Sequence, residues 1–320
     1  MHFFQLRTAL PGVYCRVLSV LSDEIILLVR QRELALELCR LSNIDDREKV
    51  SLETVRILYL PALTSRASVL LAFCPDEHPG DVLFSKNHRH HRSLHPHPHL
   101  SSSSMSEGGI DTRRHLHSVP MDSIVAVPLH ITTTSGHWRR SRMFDIIVRR
   151  RTLLEFSDVQ AQAGAAGTGT GAGVGTALAV PWEKWGPNKT RILDHDSFLC
   201  GGSVTGERRA MVRWAHIIIR DYNPFRVQRA LKLLGGAEEV TLESGSVVKV
   251  VKEPSVYRAG EWFRDDIETG LSYVETAVPF DGRSEILMDQ DNIVVVPQLV
   301  RTGPMEVSLV NVYCVDKMTD

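Results

Sequence analysis

Apolar residues in this chain recur mostly at every second position, in short runs broken by charged or glycine-containing turns. That is the period of a strand with one face buried. Ile25–Val29 is followed by the charged stretch Arg30–Glu33 and then by Leu34, Leu36 and Leu38. The alternation predicts two strands across a turn. A single long helix is the competing reading, because Leu, Glu and Arg are good helix formers. Leu52–Leu60 and Val69–Phe73 predict further strands. In the C-terminal part, Val240–Glu243 and Ser246–Val251 flank Ser244-Gly245, a turn with glycine to accept positive φ. Asp281-Gly282 reads the same way, and Asp291-Asn292 separates Glu285–Met288 from Ile293–Val296. Val307–Val315 closes the pattern as a last strand.

Helical periodicity interrupts the strands near residue 224. Asn223 suits the N-cap, Pro224 the first helical position and Gly235 the C′ position. Between them Val227, Ala230, Leu231 and Leu234 fall on one face. A second helix is predicted from Glu261 to Gly270.

Two low-complexity tracts carry no such pattern. The first, residues 87–117, holds His88, His90, His91, His95, His97, His99, His115 and His117 around a serine run. The second, within residues 158–177, is rich in Gly and Ala. Neither offers enough apolar side chain to offset the entropy of ordering its backbone, so both read as loops or linkers. They divide the chain into a β-rich N-terminal part (1–86), a strand-rich segment of the same fold (118–157) and a β-rich C-terminal part (178–320). No propeller-type tryptophan–aspartate repeat is visible.

Composition narrows the function classes. With 43% apolar and 23% charged residues the chain is neither wholly disordered nor collagen-like nor a coiled coil. Basic and acidic residues, 37 against 38, nearly cancel, which argues against a nucleic-acid binder. The basic excess is local, with 11 basic and 5 acidic residues between 78 and 151. Cys15, Cys39, Cys74, Cys200 and Cys314 stand alone, with no CxxC for a zinc ribbon or a redox pair. They read as reduced structural thiols. The N-terminus lacks a basic region followed by an apolar core, and runs such as Ile293–Val296 fall far short of the roughly 20 residues that span a bilayer. These features predict a cytoplasmic or nuclear protein with no membrane partner.

The chemistry-bearing residues do not form a recognised constellation. His95, His97 and His99 alternate with Pro96 and Pro98, which favour an extended backbone, so a solvated linker outweighs a metal site. Gly167, Gly169 and Ala172 have a dinucleotide-like spacing without the strand and helix that such a loop requires. Arg139, Arg140, Arg142, Arg149, Arg150 and Arg151 form the densest positive patch. It could meet phosphates or acidic partners, but a solvated sheet edge that blocks pairing is the simpler reading. Cys200, His216 and Asp221 could be drawn as a thiol triad and Asp194-His195-Asp196 as metal ligands, with no surrounding motif for either. No metal and no cofactor is predicted.

The most specific stretch is Pro181-Trp182-Glu183-Lys184-Trp185-Gly186-Pro187-Asn188-Lys189-Thr190-Arg191. Two indoles bracketed by prolines read as a staple that locks a loop over a sheet, the alternative being an exposed aromatic anchor. The stretch resembles the PW-x-x-WGP-x-x-TR motif of the F-box-containing protein family of mushroom-forming (basidiomycete) fungi. Gly206-Glu207-Arg208 resembles the family's G-x-R turn, and Asp221-Tyr222-Asn223-Pro224 its D-[FY]-NP element. Glu253-Pro254-Ser255 and the Trp262–Tyr273 stretch, ending Leu271-Ser272-Tyr273, are similar to its closing segment. The resemblance implies the β-rich substrate-recognition part of a ubiquitin-ligase receptor. A Skp1-type adaptor is implied only where an F-box is present; Ser22–Leu28 is faintly similar to an F-box opening without its Leu-Pro.

Together these readings predict a mainly β fold of antiparallel meanders, irregular and propeller-like or sandwich-like, with one or two short helices. The expected function is a non-enzymatic protein-interaction module, with Trp182, Trp185, Arg191, Asp221, Asn223 and Pro224 as protein-binding or fold-staple residues. The alternative is a hydrolase or metal-dependent enzyme whose site is built from dispersed His, Asp and Cys.

Overall fold

Alternation along the chain becomes a stack of sheets. A computed structural model describes residues 15–42, 51–71, 121–135, 138–158, 178–195, 202–213, 215–280, 284–289, 292–297 and 311–314. These residues are mainly β, in several antiparallel sheets with no closed barrel. The first sheet runs β1 (Cys15–Val20), β2 (Ile25–Arg30), β3 (Ala35–Ser42), β4 (Ser51–Tyr59), with β8 (Leu178–Val180) added parallel to β4. The second is β5 (Ala67–Leu71), β6 (Ile124–Ser135), β7 (Trp138–Arg149) and β9 (Thr190–His195). The third has six strands in the order β10 (Gly202–Thr205), β11 (Arg208–Arg213), β12 (His216–Asp221), β17 (Tyr273–Pro279), β14 (Val247–Val251) and β13 (Glu239–Thr241). The fourth is β18 (Ser284–Met288), β19 (Asn292–Pro297) and β20 (Asn311–Cys314). A ribbon of β15 (Ser255–Tyr257) and β16 (Ile267–Thr269) completes the set.

The sheets pack face to face. Leu27, Leu36 and Leu38 of the first sheet meet Val127, Phe144 and Ile146 of the second in the main core. The opposite face of the second sheet, with Ile124, Ala126, Ile147 and Leu193, packs on Tyr222, Leu271 and Tyr273 against the third. The far face of the third meets the fourth through Ala210, Ile217, Ile219, Ile286 and Ile293. Each fully buried aliphatic side chain contributes about 1.5–3 kcal/mol.

Three helices occur among the described residues: α1 (Arg150–Asp158), α2 (Trp182–Trp185) and α3 (Pro224–Leu234). The α3 boundaries follow the predicted caps. Asn223 Oδ1 accepts from the Phe225 and Arg226 amides at 2.9 and 3.2 Å, and Gly235 is left-handed at φ 58°. Val227 and Ala230 pack this helix on Val248, Val250 and Val274 of the third sheet. The N-terminal hairpin is β2–β3, as the alternation favours, with a turn that puts Leu34 at φ 50°.

Five expectations are corrected in whole or in part. Glu261–Gly270 is not helical: Arg264 N–H donates to Ala62 O, Thr64 N–H to Trp262 O, and Asp266 accepts from the Ala259 amide at 2.7 Å. Those bonds satisfy the backbone in irregular turns, and Ile267–Thr269 then runs as β16. Asp281-Gly282 lies outside the described residues, but the strands either side of it, β17 and β18, belong to different sheets rather than to one hairpin. The arginine patch is a sheet edge only in part. Among the described residues Arg139–Arg142 pair with β6 alone, with Arg139 and Arg140 in solvent and Arg142 reaching Asp194 at 2.9 Å, whereas Met143–Val148 lie between β6 and β9, and Arg149 donates to the Tyr222 carbonyl. Arg150, buried, donates to Leu21 O. α1 and α2 add to the helices the periodicity predicts. The Ser244-Gly245 turn is wider than two residues, with Leu242 N–H donating to Ser246 O and Gly245 at φ 80°. The His-rich and Gly/Ala-rich tracts, Cys74 and Cys200 lie outside the described residues.

Candidate interaction site

The tryptophan motif is a tight turn folded around its own side chains. Both indoles are buried, edge to face with centroids 5.1 Å apart. Trp185 Nε1 donates to the Tyr59 carbonyl at 2.8 Å, which ties the turn to the end of β4. Gly186 lies flat against Trp182: a Cβ at that position would overlap the indole. The chain then reverses through Lys189 N–H to Gly186 O and Thr190 Oγ1 to Gly186 O, at 3.2 and 2.7 Å. Trp182 and Trp185 therefore belong to the core, not to an exposed anchor.

The same motif holds the segment before β17. Gly270 N–H donates to Pro187 O, Leu271 N–H to Thr190 O, and Ile192 N–H to Thr269 Oγ1, each at 3.0 Å. Arg191 enters the space between the second and third sheets, with its guanidinium over the Tyr273 ring at 5.2 Å. It is 3% exposed.

A second knot joins the Gly206-Glu207-Arg208 turn to the Asp221–Pro224 stretch. Asp221 pairs with Arg208 at 2.9 Å and with Arg226 at 3.4 Å, and its other oxygen accepts from the Asn223 amide. Asn223 Nδ2 donates to Glu207, while its Oδ1 caps α3. Burial pushes the Glu207 carboxyl above its ordinary range, against the opposing pull of the Asn223 bond. Gly206, at φ 56°, turns the chain here, and its carbonyl accepts from Ile124.

Between the two knots lies a groove of about 370 Å³. Its walls are Arg149 from β7, Thr152 from α1, Asn188 and Lys189 from the tryptophan motif, and Pro224, Val227 and Gln228 from α3. Gly270, Leu271 and Ser272 close it. Three of the stretches singled out in the sequence thus converge on one place. Pro224 lines the groove directly, while Trp182, Trp185, Asp221 and Asn223 build its frame. Arg191 lies behind it between the sheets. Arg149, Thr152 and Gln228 belong to none of those stretches. Arg149 is named in the sequence only as a member of the arginine patch, and the fold brings it to the groove.

The thiol triad and the acidic-histidine triplet are described only in part, since Cys200 and Asp196 lie outside the described residues. His216 and Asp221 sit at the two ends of β12, roughly 16 Å apart at strand rise. Asp194 is engaged by Arg142. Among the described residues no three His, Cys, Asp or Glu side chains gather as a metal site would require. No family model matches the chain, and no curated protein or solved structure matches it significantly.

Proposed function

We propose that the chain is a non-enzymatic protein-interaction module, and more narrowly the substrate-holding part of an F-box-type ligase receptor. The observation that carries the reading is the convergence of the tryptophan motif, the Asp-Tyr-Asn-Pro element and the Leu-Ser-Tyr segment around one open groove. Buried indoles and caps make the frame rigid, and a rigid frame lowers the ordering cost of recognition. The narrower receptor reading rests on the motif resemblance alone. The test is affinity capture by the full chain from a basidiomycete extract, with a Lys189→Glu/Gln228→Glu variant as the second bait. Both positions are exposed, so the variant keeps its fold. Proteins retained by the first bait and lost from the second support the module; identical sets overturn it. A Skp1-type adaptor and a cullin among the retained proteins support the receptor branch, and their absence removes it.

A further inference from the structure

The groove is built from donors. Six of its ten lining residues are Arg149, Thr152, Asn188, Lys189, Gln228 and Ser272, and none of the ten carries a carboxylate. Arg149 and Lys189 both line it, and two cations on one groove repel unless an anion lies near. Two carboxylates are already within electrostatic reach, Glu207 of Arg149 and Glu155 of Lys189. Glu155 of α1 meets Lys189 Nζ at 3.0 Å from outside the lining, but both side chains are about half exposed (45% and 50%), so this pair is weak and exchangeable. Pro224, Val227 and Leu271 add an apolar wall.

We propose that this groove binds an acidic, carboxylate-rich segment of a partner protein, which displaces Glu155 from Lys189 and bridges it with Arg149. The open lining of two cations, two amides and two hydroxyls suits a chain of carboxylates, with an aliphatic side chain against Pro224 and Val227. The proposal rests on the interaction-module reading and names the partner chemistry of that site.

The experiment is fluorescence anisotropy with the full chain and a labelled glutamate-rich peptide, with the glutamine version of the same peptide as the control probe. The acidic peptide is expected to bind, and less tightly as salt rises. Lys189→Gln weakens binding about tenfold, as loss of a charge-assisted contact does. Glu155→Gln, which removes the competing carboxylate, tightens it. A distant Arg139→Gln/Arg140→Gln variant, on the exposed part of β7, leaves it unchanged. Four results would overturn the proposal: no binding, equal binding of the glutamine peptide, an equal loss in the distant variant, or inorganic phosphate binding as tightly as the peptide. Peptide binding without any groove-dependent captured protein would remove the module reading and keep this charge preference. Groove-dependent capture with no affinity for the acidic peptide would do the reverse.

Discussion

One face of the second sheet carries Val125, Val127, Leu129, Ile131, Phe144, Ile146 and Val148, pressed against the first sheet. The other face of the same strands carries Asp145, Ile147 and Arg191, pressed against Arg209, Arg220, Tyr222, Tyr273 and Glu275 of the third sheet and its flank. Both faces are buried. The first is held by shape and apolar area alone; the second adds charge to its apolar contacts, with Arg209 reaching across to Asp145 at 2.5 Å and Arg220 pairing with Glu275 at 2.8 Å between neighbouring strands of the third sheet. Lys249 reaches the second Glu275 oxygen at 2.9 Å, and Arg191 and Arg220 both lie over the Tyr273 ring. The difference lies in what each face tolerates. An apolar layer is damaged in proportion to the volume removed. An ionic layer is damaged by removing one partner and can be indifferent to removing both.

The sharpest way to break the comparison is to treat the two faces alike. Phe144→Ala removes a ring with edge contacts to Tyr257, Trp262 and Phe263, at 5.4–5.8 Å between centroids. It should cost about 3–5 kcal/mol in chemical denaturation. Asp145→Ala, which strands Arg209 between the sheets, should cost a similar amount, about 3–5 kcal/mol. The faces then part. Asp145→Leu combined with Arg209→Met should return stability to within about 1 kcal/mol of the wild type. A double variant as unstable as Asp145→Ala would show that this layer, too, depends on shape.

A smaller effect is expected at the rim of the apolar core. Gly186→Ala drives a methyl group into the Trp182 indole and should cost about 1–3 kcal/mol. In a Trp182→Ala background the same change meets open space, so its cost should vanish. A cost that persists in the double-mutant cycle would mean the backbone at Gly186, not the indole, sets the constraint.

Much of this was readable beforehand, and the unread part has a common cause. Alternation located β2, β3, β4 and β14, and the Asn223-Pro224 and Gly235 signals located α3, because strand period and caps are local properties. Arg209, Arg220, Asp145 and Glu275 also alternate with apolar neighbours, and polar positions in a strand read as solvent-facing. Here two polar faces meet each other, which no single strand reveals. The Glu261–Gly270 stretch was misread because its backbone partners, Ala62 and Thr64, are distant in sequence. The groove was half visible: Asn188, Lys189, Pro224 and Ser272 lie in conspicuous stretches, whereas Arg149 and Gln228 join them only through folding.

Acid separates the two faces without mutation. Burial alone would raise the Glu275 carboxyl, but Arg220 and Lys249 outweigh it and hold the group below its ordinary value of 4.5. A carboxyl whose folded-state value is depressed stabilises the fold above its unfolded value and loses that contribution as pH falls through the folded one. Stability should therefore decline as pH drops below about 4.5. Glu37, on the outer face of the first sheet, carries the same sign: Arg30 and Thr54 outweigh its burial. The Glu275→Gln variant, measured by urea midpoint across this range, should show a shallower decline than the wild type. Equal slopes would place the acid sensitivity outside the ionic layer.

The smallest expected change sets the floor against which the ionic layer is judged. Arg140 and Glu261 form the same kind of pair, at 3.5 Å, with side chains 72% and 54% exposed. Water already solvates both partners, so the attraction gained by pairing nearly equals what it costs to hold two long side chains in register. Arg140→Gln should change stability by less than about 0.5 kcal/mol, against about 3–5 kcal/mol for stranding Arg209. The contrast comes from desolvation rather than from charge, because the charges are identical and only their access to water differs. If Arg140→Gln proved as damaging as Asp145→Ala, charge itself would be the stabilising quantity, and the burial of the Arg209–Asp145 pair would carry no special weight.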